Sequence, residues 1–235
     1  MRFDGKTVLV TGVGRRGQVG EAVAAALAAE GARLVLADVA LDEANARAAE
    51  LRTAGADARA YACDLADQTQ LTILAAEVSA AYGRLDALVA LAGGFAMSGP
   101  VAESDPAIWQ RQMTINLTTA YLTTRAFLPA LRTAGGAIVY FASAAALPGG
   151  AVAGMAAYAA AKSGVVALMR AVAADERANH VRANALAPTS IRTAANIRSM
   201  GDQPSYVERE QVAAAVCWLC SAEASAVTGQ VIRLG

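Results

Sequence analysis

Val10-Thr11-Gly12-Val13-Gly14-Arg15-Arg16-Gly17-Gln18-Val19-Gly20-Glu21-Ala22 decides how this chain folds. An apolar run, Lys6–Thr11, leads into it, and an alanine-rich stretch, Glu21–Glu30, leaves it before Gly31 stops the helical pattern. Strand, glycine-rich loop and helix in that order bring bare backbone amides to a helix N-terminus, where they can face a pyrophosphate. A second apolar run, Arg33–Ala37, ends at Asp38, 18 residues past Gly20. An acid at the end of the next strand is the context that a dinucleotide site demands, and it lifts the loop above the rival reading of a segment that merely turns the chain.

Outward from this stretch the same alternation continues. Further strands are expected at Ala58–Ala62, Ala87–Leu91, Ala137–Phe141, Val181–Ala185 and Gln230–Leu234. Helices are expected at Asp42–Thr53 with Asp42 as N-cap, Gln68–Tyr82, Pro106–Leu131, Ala156–Asn179 and Val207–Ser221. Short, continuously apolar strands separated by helices predict a parallel sheet buried on both faces. Right-handed crossovers then give an α/β, doubly wound Rossmann fold of about seven strands in a single domain spanning 1–235. Ligands of such sheets sit beyond the carboxyl ends of the strands. Gly12, Asp38, Asp64, Gly93, Ser143 and Pro188 all fall there.

Composition closes off other classes. Of 235 residues, 56% are apolar and 17% charged, and 20 basic side chains balance 20 acidic ones. A disordered chain would be poorer in apolar residues, and a nucleic-acid binder would carry surplus positive charge. With a single histidine, His180, a multi-histidine metal site or a Ser-His-Asp triad has almost nothing to draw on. No metal is expected. Cys217-Trp-Leu-Cys220 matches C-x-x-C, but it lies in the apolar run Val212–Cys220 and reads as core. Thr133–Ala161 lacks charge yet is broken by glycines and Pro148, as a strand, a loop and a helix start would be. The expectation is a cytoplasmic protein.

The reacting group is sought at Tyr158 and Lys162, four residues apart on one helical face. Lys162 is one of only two lysines, and it sits in a nearly all-alanine helix. A neighbouring ammonium favours phenolate, so the spacing predicts a Tyr158 pKa below the ordinary value of about 10. Ser143, at the end of the preceding strand, is expected beside Tyr158 as a hydroxyl donor. Asn116 is a poor residue for a helix interior, and either holds a water near Lys162 or satisfies a buried backbone group. Asp38 would accept bonds from ribose hydroxyls and repel a 2′-phosphate, which favours NAD(H) and leaves NADP(H) as the competitor. Arg15 and Arg16 could grip the pyrophosphate or a 2′-phosphate, or stand in solvent. Asp64 sits near adenine or caps the next helix. Phe95, Met97, Trp109, Met155 and Met200 belong either to an apolar pocket or to the core.

With these residues in place, the chain resembles the short-chain dehydrogenase/reductases over nearly its whole length. The resemblance rests on Thr11–Gly20, Asp38, Asp64-Leu65, Ala92-Gly93, Asn116, Ser143, Tyr158-x-x-x-Lys162, Val181–Pro188 and the V-T-G-Q near the end. It implies an oxidoreductase moving a hydride between NAD(P)(H) and a carbonyl/alcohol pair. Tyr158 would be the acid/base, Ser143 would polarise the substrate oxygen, Lys162 would hold the nicotinamide ribose, and Asn116 would support a relay water. The dinucleotide would meet Gly12, Gly14, Arg15, Arg16, Gly17, Val19, Gly20, Asp38, Asp64, Leu65, Ala92, Gly93, Tyr158, Lys162, Pro188, Thr189, Ile191 and Thr193. A homotetramer or homodimer is implied as well.

The chain departs from the family pattern in five places, one of them a slightly long loop between Ser143 and Tyr158. Two extra residues lengthen the glycine loop, Ala90-Leu91-Ala92-Gly93 replaces N-N-A-G, Thr189 follows Pro188, and the segment after Thr193 is short. Leu91–Phe95 and Pro188–Met200 are similar to bacterial reductases related to dihydropteridine reductase. The departures motivate an alternative, a non-catalytic NAD(P)-binding sensor or scaffold. A second is an NADPH-dependent 3-oxoacyl or pteridine-type reductase.

Overall fold

Period-two alternation in the first strand serves two cores at once. In β1 (Thr7–Thr11) Leu9 packs to one side of the sheet, while Val8 and Val10 pack to the other. The computed structural model describes residues 1–202 and 205–235. It collects β1, β2 (Arg33–Asp38), β3 (Ala58–Ala62), β4 (Ala87–Ala90), β5 (Ala137–Phe141), β6 (Arg182–Pro188) and β7 (Val231–Leu234) into one parallel sheet of order β3-β2-β1-β4-β5-β6-β7. The strand order reverses between β1 and β4, which places the cleft between their carboxyl ends.

Helices α1 (Val19–Ala29), α2 (Leu41–Thr53) and α8 (Arg209–Cys220) cover one face. On the other lie α3 (Gln68–Tyr82), α5 (Thr119–Ala134) and α6 (Ala156–Asp175). By length and composition α6 alone among the described helices could cross a membrane. Here Val165, Met169 and Val172 pack it into the sheet. At its far end the Glu176 carboxylate receives two bonds from Arg132, at 2.8 and 2.6 Å, which hold its carboxyl below the usual range.

Several boundaries differ from the sequence reading. The expected helix Pro106–Leu131 is three segments: α4 (Pro106–Met113), a π turn Thr114–Thr118, and α5. Asn116 lies in the π turn, where its amide nitrogen donates to the Gln112 carbonyl at 3.1 Å, so a side chain competes with the main-chain ladder. Asp42 does not cap α2, because the helix begins one residue earlier with Ala40 in the cap position. The helix expected to run to Asn179 ends at Asp175 and gives way to a 3₁₀ turn, Arg177–Asn179. A capping box between Glu208 and Gln211 starts α8 at Arg209 rather than at Val207. The short helix α7 (Ala194–Met200), opened by the Thr193 hydroxyl on the Asn196 amide, was not expected at all.

Candidate active site

Gly93, just past β4, is where the site closes up. A Cβ there would stand 2.6 Å from Asn116 Oδ1 and 3.4 Å from Lys162 Nζ, so only a glycine lets the loop, the π turn and α6 approach this closely. Lys162 is 6% exposed and its Nζ donates to the Phe141 carbonyl at 2.8 Å. The same Nζ lies 5.9 Å from the centroid of the Tyr158 ring, one helical turn back. Ser143 follows β5, caps the 3₁₀ turn Ala144–Ala146, and sets its hydroxyl close enough to the Tyr158 phenol to favour the phenolate. The three groups expected to converge are therefore in one cleft.

Their electrostatics differ from the spacing argument. Burial raises the Tyr158 phenol above its ordinary value, and the Ser143 hydroxyl offsets part of that rise. The expected lowering by Lys162 is not found. Burial also brings the ammonium itself down from 10.5 to about 8, and its donated bond goes to a carbonyl, not to the phenol. In the protein alone both groups are pressed toward their neutral forms.

Asn116, 1% exposed, takes the second of its two expected roles. Its Oδ1 accepts the Gly94 amide at 3.1 Å, and its Nδ2 faces the Gly94 carbonyl at 3.0 Å and Gln112 Oε1 at 3.1 Å. Gln112, 1% exposed, is a bracing residue the sequence reading missed. A lone glutamine in a short helix gives no signal of this. Thr11 tethers the end of β4 to the start of the loop that follows it. Its hydroxyl donates to the Val89 carbonyl at 3.3 Å and accepts the Ala92 amide at 3.4 Å.

The glycine loop fits a dinucleotide. Gly12 has φ 65° and a Cβ there would lie 2.6 Å from Ala92 Cα, so bare backbone borders the cleft between β1 and β4. Val19 and Gly20 open α1, whose N-cap Gln18 makes no side-chain capping bond. First-turn amides are thus left for an anion. Asp38 Oδ2 accepts the Gly14 amide at 2.9 Å, which fixes a half-buried carboxylate at the rim beside the loop. The Gly17 carbonyl accepts the Ala194 amide at 3.0 Å, so the lengthened loop reaches the start of α7.

Other expected contacts divide. Leu65 is buried, while Asp64 is exposed and does not cap α3; that role belongs to Asp67, which accepts the Thr69 and Gln70 amides. Arg15 is exposed, and Arg16 is paired with Glu50 at 2.6 Å. Pro188 ends β6, Thr189 donates to the Leu234 carbonyl, Ile191 bridges to Val207, and Thr193 caps α7. Cys217 and Cys220 are buried core thiols, with burial pushing Cys217 up to about 12. Among the described residues no cluster of metal-ligating side chains exists. Phe95, Met97, Trp109 and Met200 are at least 45% exposed and do not belong to the core.

Comparison with known proteins agrees with this architecture. A family model described as Enoyl-(Acyl carrier protein) reductase matches residues 12–234. D-threitol dehydrogenase of Mycolicibacterium smegmatis is 39% identical over 146 residues, 62% of this chain and 55% of that protein. Trans-4-hydroxycyclohexanecarboxylate dehydrogenase of Sinomonas cyclohexanicum is 35% identical over 95% of this chain and 89% of its own length. A short-chain dehydrogenase/reductase structure from Burkholderia xenovorans superposes with a TM-score of 0.89 at 35% identity, covering 99% of this chain and 96% of that one. This chain belongs to the short-chain dehydrogenase/reductase family, oxidoreductases of small molecules that bind nicotinamide cofactors.

Proposed function

We propose that the protein interconverts a secondary alcohol and its ketone with NAD(H), using Tyr158, Ser143, Lys162 and Asn116. The observation that carries this reading is the convergence of Tyr158, Ser143 and Lys162 on the cleft bordered by Gly93. The cofactor, when bound, supplies or accepts the hydride. Tyr158 gives its phenolic proton to the carbonyl oxygen in reduction and takes it back in oxidation. Ser143 donates to that same oxygen as charge develops on it. Lys162, one helical turn from Tyr158 on the same face of α6, would hold the nicotinamide ribose. Asn116 holds Gly94 by both main-chain groups and so keeps the loop after β4 fixed beside them.

NAD(H) is favoured because the Asp38 carboxylate is locked at the rim by the Gly14 amide, while Arg16 is engaged with Glu50. Fluorescence titration is expected to give tighter binding of NADH than of NADPH. Asp38→Asn, which keeps an acceptor for Gly14 but removes the charge, should narrow the gap by about tenfold, or roughly 1.4 kcal/mol. Tighter NADPH binding by the parent protein would reverse the assignment.

Self-association as a homodimer or homotetramer belongs to the same proposal. Trp109 and Tyr121 stand 46% and 49% exposed on α4 and α5, an apolar surface of the kind that partners cover. Sedimentation is expected to give two or four times the chain mass, and the mass of one chain overturns this part.

A further inference from the structure

The loop after β4 presents an aromatic ring that the fold holds rigid without burying. Phe95 meets the Tyr158 ring edge-to-face at 5.0 Å and 88°, yet remains 58% exposed. Its neighbour Gly94 is pinned through both its amide and its carbonyl by Asn116. Three residues on, the Gly154 carbonyl accepts from the Ser98 amide at 2.8 Å, the Ser98 hydroxyl at 3.2 Å and the Gly99 amide at 3.2 Å. Met97, 54% exposed, lies against Gly154, where a Cβ would come within 2.9 Å of its terminal methyl. A polar network thus spends its bonds on holding two apolar side chains in place at the mouth of the cleft. Ordering them in advance removes an entropic cost from whatever binds there.

Charge narrows the occupant. Residues 87–102 and 135–161, the segments that frame the phenol, contain no Asp, Glu, Lys, Arg or His. On the segment leading into α7, Arg192 is paired with Asp202 and Glu208. Beyond Ser143 and Tyr158, which serve the reacting oxygen, a carboxylate would leave water without finding a charged partner on these two walls, and further hydroxyls would meet mainly apolar side chains. An uncharged ring would bury apolar area against Phe95 and Met97.

We propose that Phe95 is a specificity-determining residue that selects an electrically neutral, apolar, ring-sized ketone or alcohol over polyols and ring carboxylates. This rests on the oxidoreductase reading of the site. The probes are cyclohexanone, 4-oxocyclohexanecarboxylate and the linear polyol ketone erythrulose, assayed with NADH. The expected order of kcat/KM is cyclohexanone first. Phe95→Ala should raise KM for cyclohexanone about tenfold or more, with kcat within a few-fold, and Phe95→Leu should recover most of the loss. A role limited to supporting Tyr158 would instead lower kcat on all three probes alike, and that result overturns the proposal. So does preference for the carboxylate probe.

Binding is read separately by saturation transfer from the protein to each probe, without turnover. Transfer to cyclohexanone that Phe95→Ala removes supports the proposal, and equal transfer to erythrulose overturns it. Selective binding without hydride transfer would count against the oxidoreductase reading and leave the selectivity of Phe95 standing.

Discussion

Tyr158→Phe is expected to lower turnover in both directions about a hundred- to ten-thousand-fold, the range for loss of a positioned general acid/base. Cofactor affinity and melting temperature should stay close to those of the parent protein, because the ring and its edge-to-face contact with Phe95 remain. The pH dependence follows from the direction of the phenol's shift. Burial raises its pKa, so the proton-bearing form persists through neutral and mildly alkaline pH. That is the form needed to reduce a ketone. Oxidation of an alcohol needs the phenolate, so its rate should climb with pH where reduction is still flat.

Ser143→Ala sharpens this result. It removes the hydroxyl that partly offsets the rise, and the rising limb of oxidation should move to higher pH. Steady-state rates measured in both directions from pH 6 to 10 check both statements. A Tyr158→Phe enzyme within tenfold of the parent, or oxidation that falls as pH rises, removes Tyr158 from the mechanism.

That direction of shift also marks where sequence reading stops. The i, i+4 spacing of Tyr158 and Lys162 correctly puts both on one face of α6. Spacing fixes neighbours, however, and says nothing of how much water surrounds them. The sign of the phenol's shift depends on burial, which comes from β5, the π turn and the loop at Gly93 closing around the pair. The sheet was legible for the opposite reason. Strands buried on both faces need continuous apolar residues, and β5, buried along its whole length, coincides with its expected span.

Local chemistry that overrides periodicity was not legible. Asn116 turns one expected helix into three segments by bonding to a carbonyl one turn back. Asp67, not Asp64, caps α3, a choice between two acids that composition cannot make. Phe95 was visible as an aromatic without an assigned side. Only the pinning of Gly94 shows that it is held at the mouth and kept out of the core.

Lys162→Met should make the protein more stable while it ends useful catalysis. The ammonium is almost wholly enclosed, and its pKa falls from 10.5 to about 8 through burial. Below pH 8 the lysine is charged in both folded and unfolded chains, and the folded state bears the full cost of keeping the charge out of water. A shift of that size corresponds to about 3 kcal/mol, at about 1.4 kcal/mol per unit. Methionine fills a similar volume with no charge to desolvate, so at pH 7 the variant should melt several degrees above the parent, at about 2–4 °C per kcal/mol for a chain of this size.

The gap must then close as pH rises. Between about 8 and 10.5 the folded lysine has lost its proton while the unfolded one keeps it, so the parent gains stability with pH and the variant does not. Calorimetry at pH 7, 8.5 and 10 reads this convergence, and turnover measured beside it should fall about a hundredfold or more. A variant that melts lower than the parent at pH 7 would mean that the bond to the Phe141 carbonyl outweighs the cost of burial, and that Lys162 holds the fold together as well as serving the site.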